Sequence, residues 1–180
     1  PNACTHTGVT PLHYAAQNGH VSAVTLLLKN NANVHAFTMK GESVLYVAAE
    51  SGHVNVVSLL LENHVQIDAC THDVGCTPLH IACLRGHVSV VRLLLQNHAN
   101  IHLCQKDGAC SLHTAAMGGH GGVVCVLVDA GAAVDVCMKN GISSLHIAAQ
   151  NGFLDVADCL LRNQANVNLW SATLLYYERV

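Results

Sequence analysis

Fourteen histidines and nine cysteines are the side chains of this chain most able to do chemistry, as metal ligands or as a thiol nucleophile beside an imidazole base. A structural zinc site needs four converging ligands, and Cys70, His72, Asp73 and Cys76 crowd one short stretch. The five-residue gap between Cys70 and Cys76 is outside the short loops that usually hold zinc, so the stretch reads as a polar turn with incidental cysteines. No histidine pair has the i, i+4 spacing with an intervening glutamate that a metalloprotease helix requires. Nucleophilic catalysis needs a nucleophile, a base and an orienting group in one pocket, and there is no G-x-S-x-G and no paired-carboxylate motif. Gly118-Gly119-His120-Gly121-Gly122 is glycine-rich but lacks the lysine of a phosphate-binding loop. The sequence predicts no catalytic residue, no cofactor and no metal, and hence no enzyme.

The histidines are better explained by the elements that carry them. Thr10-Pro11-Leu12-His13 recurs as Ser43-Val44-Leu45-Tyr46, Thr77-Pro78-Leu79-His80, Cys110-Ser111-Leu112-His113 and Ser143-Ser144-Leu145-His146, at spacings of 33, 34, 33 and 33. A second landmark keeps the same phase: Gly19-His20, Gly52-His53, Gly86-His87, Gly119-His120 and Gly152-Phe153. Leucine-rich stretches such as Leu26-Leu27-Leu28, Leu59-Leu60-Leu61 and Leu93-Leu94-Leu95 follow each pair. A period of this length denotes a stack of like units, each too small to bury its apolar face alone.

One unit can be derived physically. Thr10 is a helix N-cap whose hydroxyl satisfies an orphan N–H, and Pro11 sits where a missing N–H costs nothing. Leu12, Ala15 and Ala16 supply one large and two small apolar groups, and Gly19 supplies the left-handed residue that ends the helix. A second helix follows with Val21, Val24, Leu27 and Leu28 on one stripe. The polar link from Ala32 to Lys40, closed by Gly41, is a turn into the next unit. Where a glycine could end the second helix the chain has Asn31, His64, His98, Gly131 and Gln164, and Asn and His accept left-handed geometry better than most. The second unit carries one extra residue, which should make Thr71-His72-Asp73-Val74 bulge.

These units resemble the ankyrin repeat, from Pro1 to about Trp170. The resemblance implies an all-α solenoid of stacked antiparallel helix pairs with protruding turn or hairpin fingers. Repeats are expected at 8–40, 41–74, 75–107, 108–140 and 141–173, with the end of a preceding repeat at 1–7 and a degenerate tail at 174–180. It further implies that His13, His80, His113, His146, His20, His53, His87 and His120 are framework residues that bond across turns and between repeats. Neither end offers a convincing polar cap, so the sequence is expected to be a segment of a longer protein. The fourth repeat is expected to be the weakest, because Cys110 replaces the capping hydroxyl, Ser111 the proline and Gly121 a valine.

A formal charge of −3, from 8 basic and 11 acidic residues, provides no polybasic field for a phosphate backbone, so no nucleic acid partner is expected. No apolar run approaches the roughly 20 residues that span a bilayer, and no direct membrane insertion is expected. The odd number of cysteines suits a reducing, cytoplasmic location with all nine thiols free. Cys4, Cys70, Cys104 and Cys137 share a column that stacking holds about 10 Å apart, beyond the ~7 Å reach of a disulfide, and they read as buried small apolar groups.

Family resemblance puts binding on the finger tips and the concave face of the first helices. The matching positions are Met39, Lys40, Glu42, Glu50, Asp73, Val74, Leu84 and Arg85, then Lys106, Asp107, Met117, Lys139, Asn140, Ile142, Gln150 and Asn151. Their mixture of both charges with aliphatic and methionine anchors suits a protein partner. The expectation is a monomeric protein-interaction module or scaffold. The alternative is a regulatory domain of a larger channel or enzyme, binding intramolecularly or sensing a small ligand.

Overall fold

The computed structural model describes residues 2–169, and the tail 174–180 and the last residues of the expected fifth repeat lie outside them. Every tetrapeptide starts a helix. Thr10, Ser43, Thr77, Cys110 and Ser143 hold the extended N-cap conformation before α1 (Pro11–Gln17), α3 (Val44–Glu50), α5 (Pro78–Arg85), α7 (Ser111–Met117) and α9 (Ser144–Asn151). Each is followed after a tight turn by a second helix: α2 (Val21–Lys29), α4 (Val54–Glu62), α6 (Val88–Gln96), α8 (Gly121–Asp129) and α10 (Leu154–Arg162). The second helices end on left-handed residues as the sequence predicts, with φ of 60° at Asn31, 56° at His64, 67° at His98, 91° at Gly131 and 64° at Gln164.

Among the described residues no helix exceeds nine residues, too short for stability in isolation, so the pairs hold one another. First helices pack on first helices in the order α1, α3, α5, α7, α9, and second helices do the same from α2 to α10. Leu12, Leu45, Leu79 and Leu112 from one layer meet Leu60, Leu94, Leu127 and Leu160 from the other in a continuous core, all fully buried. Val21, at the start of the α2 stripe, stays exposed. The fold is an all-α repeat solenoid, and among the described residues the extended structure is limited to the isolated bridges Phe37 to Ser43, Cys104 to Cys110 and Cys137 to Ser143. Among the described residues no helix is long and apolar enough to cross a membrane.

The histidines lock the stack in both directions. The Thr10 backbone N–H donates to His13 Nδ1 at 3.2 Å, which leaves the proton on Nε2 to donate to the Glu42 carbonyl of the next unit at 3.3 Å. His80 and His113 repeat this, to the carbonyls of Leu103 at 3.1 Å and Ile142 at 3.2 Å. The second set points backward: Nε2 of His53, His87 and His120 meets the carbonyls of Gln17, Glu50 and Leu84 at 2.9, 2.9 and 3.1 Å. Burial holds His80 down at about 4 and lowers His13 and His113, consistent with neutral rings. Tyr46, in place of a histidine, lies against Cys76 of the next unit, and its hydroxyl is pushed up by burial and then by that thiol.

Three expectations need correction. Cys4, Cys70, Cys104 and Cys137 are exposed, not buried, because the extended finger alternates and turns inward the neighbouring Thr71 and Met138. Nor are all nine cysteines free: Cys125 of α8 and Cys159 of α10 form a disulfide, with Cα atoms 6.1 Å apart. Gly121 is also no simple defect, since a β-carbon there would stand 2.9 Å from the Asp155 β-carbon.

Candidate partner-binding face

Five fingers precede the first helices, each closed by its own backbone bond: Thr5 to Val9, Thr38 to Glu42, Thr71 to Cys76, Gln105 to Ala109 and Met138 to Ile142. The third spans one residue more than the rest, the insertion the period predicts. Successive fingers are also tied together, because the N–H groups of Met39, His72, Lys106 and Lys139 donate to the carbonyls of Thr7, Lys40, Val74 and Asp107 at 2.8–2.9 Å. The tips therefore form a row with fixed spacing. Asp73 is the inserted residue. Its Oδ1 accepts from the Val74 N–H at 2.7 Å, and bonds from Thr71 and Val74 hold its carboxyl below the usual range.

The sequence-derived residues fall into three groups. Met39, Lys40, Asp73, Val74, Lys106, Asp107, Lys139 and Asn140 are exposed on the tips. Arg85, Met117, Gln150 and Asn151 are exposed at the ends of α5, α7 and α9. Glu42, Glu50, Leu84 and Ile142 are half-buried, and Leu84 and Ile142 pack against the core as well as facing outward. Arg85 is already engaged: its Nη2 lies 2.7 Å from Glu50 Oε1, joining α5 to α3, and this hydrogen bond raises the guanidinium further above its usual range. Sequence reasoning passed over Tyr14, which is 52 % exposed on α1. The signal was present, since an aromatic there stands where the other units have Val47, Ile81, Thr114 and Ile147.

One thiol–imidazole pair stands out among the remaining chemistry-bearing groups of the described residues. Cys110 Sγ lies 3.1 Å from His113 Nδ1, the one close thiol–imidazole pair among the described hydrogen bonds. Burial pushes that thiol up and that imidazole down, the reverse of a thiolate–imidazolium nucleophile. The pair instead takes the place of the hydroxyl–imidazole cap, with the Cys110 N–H donating to His113 Nδ1 at 3.2 Å. Among the described residues no three His, Cys, Asp or Glu side chains converge on a metal position, and Cys70, His72, Asp73 and Cys76 do not gather.

A family model described as ankyrin repeats, in blocks of three copies, matches residues 1–73 and again 79–171. No curated protein matches the chain. With five capped helix pairs, linked fingers and a family match over nearly its whole length, this chain belongs to the ankyrin-repeat family.

Proposed function

We propose that the chain is a non-catalytic protein-interaction module that holds a partner protein along its finger tips and the exposed ends of its first helices. The observation that carries this is the placement of large apolar side chains outside the core on that face: Met39 is 72 % exposed, Val74 48 % and Met117 41 %. None of these three side chains belongs to the buried core or packs against it. Apolar anchors among polar groups are the composition of a protein interface. Seven free cysteines suit a reducing, cytoplasmic setting, with Cys125–Cys159 as the exception.

The test is quantitative capture from a lysate by the immobilised chain and its variants, with melting measured in parallel. Met39→Ala, Met117→Ala and Arg85→Ala should reduce capture of the same partner while leaving the fold intact. Arg92→Ala on α6 should not. Loss of capture with Arg92→Ala and normal capture by the three face variants would assign binding to the opposite side.

A further inference from the structure

The fifth unit leaves open, among the described residues, a face that the units before it bury. Leu12, Leu45, Leu79 and Leu112 are fully buried, whereas Leu145 in the same column is only half-buried. Ala16, Ala49, Cys83 and Ala116 are likewise buried, and their counterpart Ala149 is exposed. Leu161 and Val167 are 46 % and 67 % exposed, although Val128 and Val134 one unit earlier pack against the core. Together with Ala157 these side chains line a groove of about 340 Å³. Ala157 stands where the other units have a valine, as at Val91 and Val124, so two methyl groups are missing from the groove wall.

The groove also holds a donor with nothing to donate to. In the earlier units His13 and His113 send Nε2–H to a carbonyl 29 residues further on, that of Glu42 and of Ile142. His146 Nδ1 accepts from the Ser143 N–H at 3.3 Å, which leaves the proton on Nε2 in the same way. That Nε2–H lies in the groove lining and makes no hydrogen bond among the described residues. An occupant that seals the groove has to supply a carbonyl oxygen as well as apolar groups, because a buried donor left unpaired is costly.

The chain itself carries such an occupant. Residues 170–180 follow Val167, a groove residue, by a short step, and they contain Trp170, Leu174, Leu175, Tyr176 and Tyr177. These include the single tryptophan and two of the four tyrosines, a composition that favours burial over solvation. The step from His113 to Ile142, taken from His146, ends at Leu175. Leu175 falls in the column of Cys76, Ala109 and Ile142, which are buried or packed against the core. The six residues from Leu169 to Leu175 reach up to about 20 Å, enough to return across a unit about 10 Å thick. The segment does not continue the repeat, because Leu174 replaces the finger glycine whose φ is 77–88° in the five units, and Tyr176-Tyr177-Glu178 has no capping residue.

We propose that residues 170–180 dock on this end face as an intramolecular ligand, with the Leu175 side chain between Leu145 and Leu161 and its carbonyl accepting from His146 Nε2. The contact lies apart from the finger tips and holds the end face against other occupants.

Methyl-labelled NMR of the intact chain tests it. Leu175 methyls should show contacts to those of Leu145 and Leu161, within one molecule and at every protein concentration. Leu175→Asp should shift the methyls of Leu145, Leu161 and Val167 and speed amide exchange over residues 171–177 by about tenfold or more, whereas Leu175→Met should preserve both. Leu161→Lys, a change at an exposed site, should release the segment equally, and Leu26→Lys on α2 should not. Unmoved Leu45 and Leu79 methyls verify that each variant remains folded. Leu175→Asp without effect on the three groove methyls overturns the proposal. Contacts that grow with concentration and pass between labelled and unlabelled copies overturn it in favour of a second copy as the occupant.

Discussion

Gly121 at the start of α8 lies so close to Asp155 of α10 that an added β-carbon would stand 2.9 Å from the aspartate β-carbon and 3.1 Å from its carbonyl oxygen. Its neighbour Gly122 faces open space, with nothing nearer than a Val88 methyl at 3.9 Å. Two adjacent helical glycines thus have opposite meanings. Gly122→Ala should stabilise by up to about 1 kcal/mol through helix propensity. Gly121→Ala should destabilise by about 1–3 kcal/mol through overpacking. Urea denaturation of the two variants checks the contrast, and stabilisation by both would show that α8 and α10 have room to spare.

Replacing Cys110 with threonine should stabilise the fourth unit by about 1 kcal/mol, because the thiol makes no bond to a helix N–H where Thr10 and Thr77 do. Hydrogen exchange in α7 is the most direct readout, and it should slow there before it slows elsewhere.

Acid should unfold the chain in a defined window. His80 is held neutral, at about 4, while the unfolded ring titrates near its ordinary 6.5. The unfolded state therefore binds more protons between these values, and stability rises with pH across them. The contribution of His80, on the order of 3 kcal/mol, is complete above about pH 6.5 and lost as pH falls toward 4. His13 and His113, lowered for the same reason, add to the slope. Denaturation midpoints at neutral and mildly acidic pH measure it, and His80→Gln should flatten the dependence.

Thiol labelling should divide the cysteines into three classes. Cys4, Cys70, Cys104 and Cys137 are exposed and should react in the folded chain, whereas Cys76, Cys83 and Cys110 should react only on unfolding. Cys125 and Cys159 should react only after reduction. In the chain-entropy account, a bridge closing a loop of this length contributes roughly 3–4 kcal/mol. Reduction should therefore lower the melting temperature, and mass spectrometry finding all nine cysteines labelled without reductant would remove the bond.

Leu94→Ala should destabilise by about 2–5 kcal/mol, since its side chain is fully buried between α6 and its neighbours. Met39→Ala, by contrast, should leave melting within about 0.5 kcal/mol of the parent, as an exposed substitution does. Equal losses from both would erase the separation between framework and surface.

The helices, caps and left-handed ends were legible in the sequence because each depends on neighbours a few residues away. Thr10 caps α1 through His13, and Asn31 or Gln164 ends a second helix whatever lies beside it. The fingers were legible for the same reason, down to one extra residue within Thr71-His72-Asp73-Val74, and the bonds between fingers identify it as Asp73. What only the tertiary structure decided are the relations between units. Examples are the Arg85–Glu50 pair, the approach of Asp155 to Gly121, the Cys125–Cys159 bond and the outward turn of the finger cysteines. A repeat pattern fixes which positions align in successive units, but the few ångströms separating α8 from α10 follow from the side chains packed between them. That distance determines whether Cys125 and Cys159, one position out of alignment in successive units, can bond, and whether Gly121 is a defect or a fit.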